Sequence, residues 1–190
     1  DSLGQWHDRG NPSGHGQVWT KVRESNPIIE AESDSMIALF NKSPLLFNTH
    51  FPLRERWAEE EGKDLHKGAQ VWYTDGSMKE GRAGAGIYSH CANKRISISL
   101  GRYATVFQAE VIAILTCAYT IKEAGLFHRP IHVCTDSQAA LKALTSPWCK
   151  SKLLSECRES LNTIGRHCKV ELFWVPGHVG VSGNEFADEL

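Results

Sequence analysis

From residue 69 onward, short apolar runs alternate with stretches of helical periodicity. Val71-Trp72-Tyr73 opens a first strand, the small-residue segment Gly84–Tyr88 fits a second, and Arg95–Leu100 alternates as a third. Short turns carrying Gly or Asn join them, which predicts an antiparallel meander. Val106–Ala124 then places Phe107, Val111, Ile114, Leu115, Ala118 and Ile121 at helical spacing, and Gly125 closes that helix. A fourth strand over Ile131–Thr135 follows, then a short helix over Ser137–Leu144 and a longer amphipathic one over Lys152–Arg166. A fifth strand over Val170–Val175 and a last helix opening near Gly183 complete the order βββαβααβα. Strand–helix–strand crossovers favour parallel neighbours, so the pattern predicts an α/β fold with a mixed five-stranded sheet and helices on both faces.

The upstream third reads differently. Residues 1–26 are rich in Gly, Asn, Ser and Pro and predict a solvated tail, and a weak apolar helix is expected at about 32–41. Pro44, a Leu-Leu-Phe patch and Pro52 resemble a connector, and the charge run over 54–67 reads as a solvated linker or short helix. The expected division is therefore a partly disordered tail and connector over 1–68 and a folded domain over 69–190. The chain starts without Met and stops at Leu190 in mid-helix pattern, so it is expected to be a piece of a longer polypeptide, cut in its last helix.

Composition narrows the function only slightly. With 190 residues, 41% hydrophobic and 23% charged, the chain can bury an ordinary core. A net charge of −1 supplies no overall basic field, so a nucleic-acid partner would have to be drawn by a local patch or by bound cations. The six cysteines show no CxxC spacing and predict reduced, mostly buried thiols. No secretory leader and no apolar run near 18 residues is present, so no membrane or secretory destination is expected; cytoplasm and nucleus are not separated. Gly84 and Gly86 belong to a strand and form no dinucleotide fingerprint.

Four carboxylates change the picture. Asp75 follows an apolar strand and precedes Gly76-Ser77, Asp136 follows Ile131-His132-Val133-Cys134-Thr135, Glu110 lies among the apolar positions of a helix, and Asp188 closes Gly183-Asn184-Glu185-Phe186-Ala187-Asp188. Each taken alone is a turn former, a helix cap or a surface charge. If Asp75 and Asp136 end adjacent parallel strands and Glu110 projects from the intervening helix, the three meet at one edge of the sheet. Acids that close raise one another's pKa unless cations share them. Oxygen-only ligation suits Mg²⁺ or Mn²⁺, and two such ions roughly 3.5–4 Å apart serve in-line phosphoryl displacement. The implied chemistry is phosphodiester hydrolysis.

Thr74-Asp75-Gly76-Ser77, Gln108-Ala109-Glu110, Thr135-Asp136-Ser137-Gln138, Trp174-Val175-Pro176-Gly177-His178 and Gly183-Asn184-Glu185 through Asp188 together resemble the type 1 ribonuclease H family. The last motifs are most similar to the ribonuclease H domains of animal non-LTR retrotransposon polyproteins. The resemblance spans about residues 69–190. It implies two Mg²⁺ ions, with Mn²⁺ as a substitute: Asp75 bridging both, Glu110 and Asp136 holding one, Asp188 the other. It further implies a mobile His178 that assists turnover, and substrate contacts by Gly76, Ser77, Gln108 and Asn184. The implied partner is an RNA/DNA hybrid, cut internally in its RNA strand, with a reverse transcriptase upstream in the same polyprotein.

Three departures accompany the likeness. Val106-Phe107 stand where relatives carry Asn or Gln. The segment Leu144–Lys152 is too short for a basic protrusion, with Lys142, Lys150, Lys152, Arg158 and Arg166 as a weaker basic patch and Trp148 as a nucleic-acid contact; Trp72 and Trp174 read as strand-core packing. The closing helix ends two residues after Asp188. These features leave an alternative open, an inactive retroelement relic that holds nucleic acid without cutting it. Exonucleases and transposases with related sheets are a third class, though they lack the combined last motif.

Overall fold

The computed structural model describes residues 44–58, 65, 67–149, 151–178 and 180–190. The expected tail over 1–26 and the helix at 32–41 lie outside them. Among the described residues, six strands form one mixed sheet: β1 (Asn48–His50), β2 (Gln70–Lys79), β3 (Arg82–Ser89), β4 (Lys94–Gly101), β5 (Ile131–Thr135) and β6 (Val170–Trp174). Their spatial order is β1-β6-β5-β2-β3-β4. Among the described residues the α-helices are α1 (Val106–Glu123), α2 (Gln138–Thr145), α3 (Lys152–Gly165) and α4 (Ser182–Asp188), and a 3-10 helix spans Arg54–Ala58. No described helix is long and apolar enough to cross a membrane.

The predicted α/β class and its antiparallel meander are present. β2 and β3 pair through a two-residue turn, Glu80-Gly81, with both residues at positive φ (52° and 71°). That geometry matches the twist of the flanking strands. β5 joins β2 and β6 in parallel, as a strand–helix–strand crossover requires. Thr105 caps α1 with its side chain, and Gln108 returns the bond in a reciprocal capping box.

The strand count needs correction. A sixth strand, β1, lies in the expected connector and pairs with β6 in parallel through Asn48↔Glu171, Thr49↔Leu172 and His50↔Phe173. Three residues are too few to show an alternating pattern. Phe47, Trp57 and Leu65 are buried, so this segment completes the core instead of leading into it. Asn162 on α3 fixes it from below, accepting from Leu46 N–H at 2.8 Å and donating to the Pro44 carbonyl at 3.3 Å. Gly165 lets the chain pass, because a Cβ there would sit 2.3 Å from the Leu46 oxygen.

Two glycines show how the faces are divided. A Cβ on Gly76 would lie 2.3 Å from the Glu110 nitrogen of α1, and one on Gly86 would lie 1.9 Å from the Ala187 oxygen of α4. Gly76 pairs with Ala85 and Gly86 with Asp75, so neighbouring residues of one strand meet different helices. Thus α1 and α4 cover opposite faces near the middle of β2. All six cysteines are free; Cys117, Cys134, Cys149 and Cys157 are buried, Cys168 is half-buried and Cys91 is exposed.

Candidate active site

Asp75 lies inside β2, not at its end as the sequence suggested. The convergence survives because the parallel ladder with β5 stops one residue earlier, at Thr74↔Thr135. Asp136 follows Thr135 directly, so both carboxylates stand where the β2–β5 pairing runs out. Glu110 arrives from the second turn of α1, across the gap that Gly76 leaves. One ligand oxygen each from Asp75, Glu110 and Asp136 fall within 4.8 Å of one another.

Asp75 and Glu110 are buried and Asp136 is half-buried. Burial pushes the Asp75 carboxyl up to about 7, with the charges of Asp136 and Asp188 adding to the shift. Burial likewise pushes Glu110 up to about 9, aided by Asp75 and Asp136. Hydrogen bonds from the Thr135 hydroxyl, at 3.4 Å, and the Gly76 N–H offset part of that rise. Asp136 is raised by burial and partly relieved by a hydrogen bond from the Asn184 side chain and by nearby His178. Without a cation, such a cluster keeps protons to limit its own repulsion.

Asp188, the last residue of α4, is 38% exposed and lies outside the tight trio, although Asp75 hydrogen-bonds to it. His178 Nδ1 stands 3.7 Å from Asp188 Oδ2, with the ring 81% exposed and the backbone at φ 53°. Asn184 is buried, and its Oδ1 has no hydrogen-bond partner. Gly183 is required beside it, since a Cβ there would lie 2.1 Å from the Tyr73 ring. Ser77 is half-buried in β2 next to Gly76.

Other expected contacts are placed differently. The Gln108 side-chain oxygen accepts from Thr105 N–H at 2.9 Å and the Thr105 hydroxyl at 3.2 Å, so it serves the helix cap. Arg158 is no surface cation: it is 2% exposed and donates to the carbonyls of Ala143 and Ser146. Arg166 pairs with Glu159 at 2.9 Å, and Lys142 donates to Gln138 at 3.1 Å. Lys150 lies outside the described residues. Trp148 is exposed, as are Tyr103, Val106 and Phe107. Trp72 is a core residue, whereas Trp174 is half-buried and donates its indole N–H to the Asp136 carbonyl at 3.0 Å.

Residues 67–190 match the RNase H family, and the chain belongs to it. Among solved structures, it is similar to the crystal structure of RNase H1 from the halophilic archaeon Halobacterium salinarum NRC-1, at 24% identity and a TM-score of 0.49 over 65% of this chain and 94% of that one. The chain is thus a ribonuclease H, of the enzyme class that acts on RNA/DNA hybrids. Divalent metal ions serve this family, and the residues fit them: three oxygen donors within 4.8 Å, no competing nitrogen or sulfur in the trio, and an orphaned buried acceptor on Asn184 beside it.

Proposed function

We propose that this domain cuts the RNA strand of RNA/DNA hybrids internally by two-metal catalysis with Mg²⁺, as one activity of a non-LTR retrotransposon polyprotein carrying a reverse transcriptase upstream. The observation that carries the catalytic reading is the meeting of Asp75, Glu110 and Asp136 within 4.8 Å. The retroelement context rests on the wording of Trp174–His178 and Gly183–Asp188.

In this reading Asp75, Glu110 and Asp136 hold one cation, and Asp75 with Asp188 the other. The bound pair supplies an activated water and neutralises the leaving oxygen. Asn184 orients Asp136 through its hydrogen bond and supports the substrate backbone. His178, largely exposed and 3.7 Å from Asp188, assists turnover and product release. Gly76 and Ser77 meet the minor groove, where shape and 2′-hydroxyls, not base edges, are read.

The test is the product pattern from an end-labelled hybrid, beside single-stranded RNA and duplex DNA, in Mg²⁺, Mn²⁺ and EDTA. Internal cuts confined to hybrid RNA, leaving 5′-phosphates and vanishing in EDTA, are expected. Tight hybrid binding with no products would instead favour a relic that only holds nucleic acid. The retroelement context is tested separately by sequencing outward from the coding segment, where a reverse transcriptase frame is expected upstream.

A further inference from the structure

We propose that Trp174 and Gly177 are positioning residues that set where the Asp136 carboxylate stands, and through it the divalent-cation affinity of the cluster; this rests on the metal reading above. Asp136 lies one residue beyond the last rung of the β5–β6 ladder, Thr135↔Trp174, so no strand pairing fixes it. Its carbonyl receives two donors. One is the Gln138 N–H at 3.1 Å, inside the turn that opens α2, which moves with Asp136. The other is the Trp174 indole N–H at 3.0 Å, reaching over from β6. Trp174 is itself tied down, because the next residue, Val175, donates to the Thr135 carbonyl at 2.9 Å.

Gly177 bounds the side chain. A Cβ there would lie 2.4 Å from Asp136 Oδ2 and 3.3 Å from its Cγ, so the carboxylate occupies the space that the missing methyl leaves. Asn184 donates to the same carboxylate from α4. Asp136 is therefore located from outside its own strand, by the end of β6, the turn at Gly177 and Asn184 of α4. Trp72 provides the contrast: it is fully buried, yet its indole nitrogen has no partner. The fold tolerates an unpaired indole there, so the bond from half-buried Trp174 is not a general demand of packing. Metal and catalytic groups lose function when displaced by about 0.5–1 Å, which gives this bond a consequence for the site.

Four proteins test the assignment: the unaltered chain, Trp174→Phe, Gly177→Ala, and Trp72→Phe as a packing control. Mg²⁺ affinity is read by calorimetry on protein without substrate, alongside the unfolding midpoint in EDTA and hybrid cleavage against Mg²⁺ concentration. Trp174→Phe is expected to weaken Mg²⁺ binding about fivefold, the worth of one net hydrogen bond. Half-maximal cleavage should need more Mg²⁺ by the same factor, with KM for hybrid unchanged. Gly177→Ala should weaken binding tenfold or more, on the order of the cost of a forced carboxylate shift, and Trp72→Phe should leave it unaltered. Unchanged affinity in Trp174→Phe, or an equal loss in Trp72→Phe, would overturn the positioning role. Failure of the unaltered chain to bind Mg²⁺ would overturn the metal reading and this assignment with it.

Discussion

Replacing Asp136 by Asn should strengthen the metal-free fold while abolishing its chemistry. The substitution keeps shape and a side-chain oxygen for Asn184 but removes one charge from three carboxylates whose oxygens share a 4.8 Å circle. Two full charges at that separation repel by about 3 kcal/mol at an effective dielectric near 20. Asp75 and Glu110, pushed up to about 7 and about 9, already hold protons for much of the neutral range, so only part of that repulsion is present. A gain of about 1 kcal/mol in EDTA at pH 8 is expected, or roughly 3–5 °C in the unfolding midpoint for a domain of this size. Added Mg²⁺ should raise the midpoint of the unaltered protein by mass action and leave Asp136→Asn where it was. Cleavage should fall by about two orders of magnitude or more, as for loss of a metal ligand. Thermal unfolding with and without Mg²⁺, followed by a hybrid cleavage assay, measures all three quantities. A variant that melts lower in EDTA yet retains Mg²⁺ stabilisation would refute the argument, because Asp136 would then be a structural group and not a repelling metal ligand.

The same repulsion gives the metal-free protein a pH dependence. Asp75 and Glu110 have folded pKa values above their ordinary 3.8 and 4.5, so their favourable contribution is complete below about pH 4 and is lost as pH rises through about 7 and then about 9; denaturant titrations in EDTA should show this decline, and Mg²⁺ should flatten it. Asn162→Ala should cost about 1–3 kcal/mol by orphaning the Leu46 N–H and the Pro44 carbonyl. Amide exchange over residues 46–50 should accelerate in that variant, while hybrid cleavage stays within about twofold because the carboxylates lie two and three strands from β1.

The acids were legible because each contradicts its surroundings: a charge inside or at the end of an apolar run is costly unless something shares it. Their common edge followed from two parallel strands and the helix between them. Arg158 misled for the opposite reason, since its charge suggested solvent while its spacing placed it on the inner stripe of α3 with Leu154, Cys157 and Leu161. A buried guanidinium is possible there because two carbonyls accept from it. Asp75 looked like a strand end because Gly76 and Ser77 read as a turn, whereas Gly76 continues the strand and makes room for α1. β1 carried no signal: three residues hold no period, and their partner lies more than a hundred residues away. The role of Trp174 was hidden by its aromatic character, which describes the ring and not the direction of its N–H.

The pairing of β1 with β6 also imposes an order on folding during synthesis. Asn48 leaves the ribosome long before Glu171, its partner, exists. The meander β2–β4 and α1 can associate through nearby contacts, but the edge occupied by β1 must wait for almost the whole chain. Until then Phe47 and Trp57, which end up buried, have no finished core to enter. Of the six strands, the one that closes this edge is thus made first and seated last, and during that interval it is open to a chaperone or to capture by a neighbouring copy.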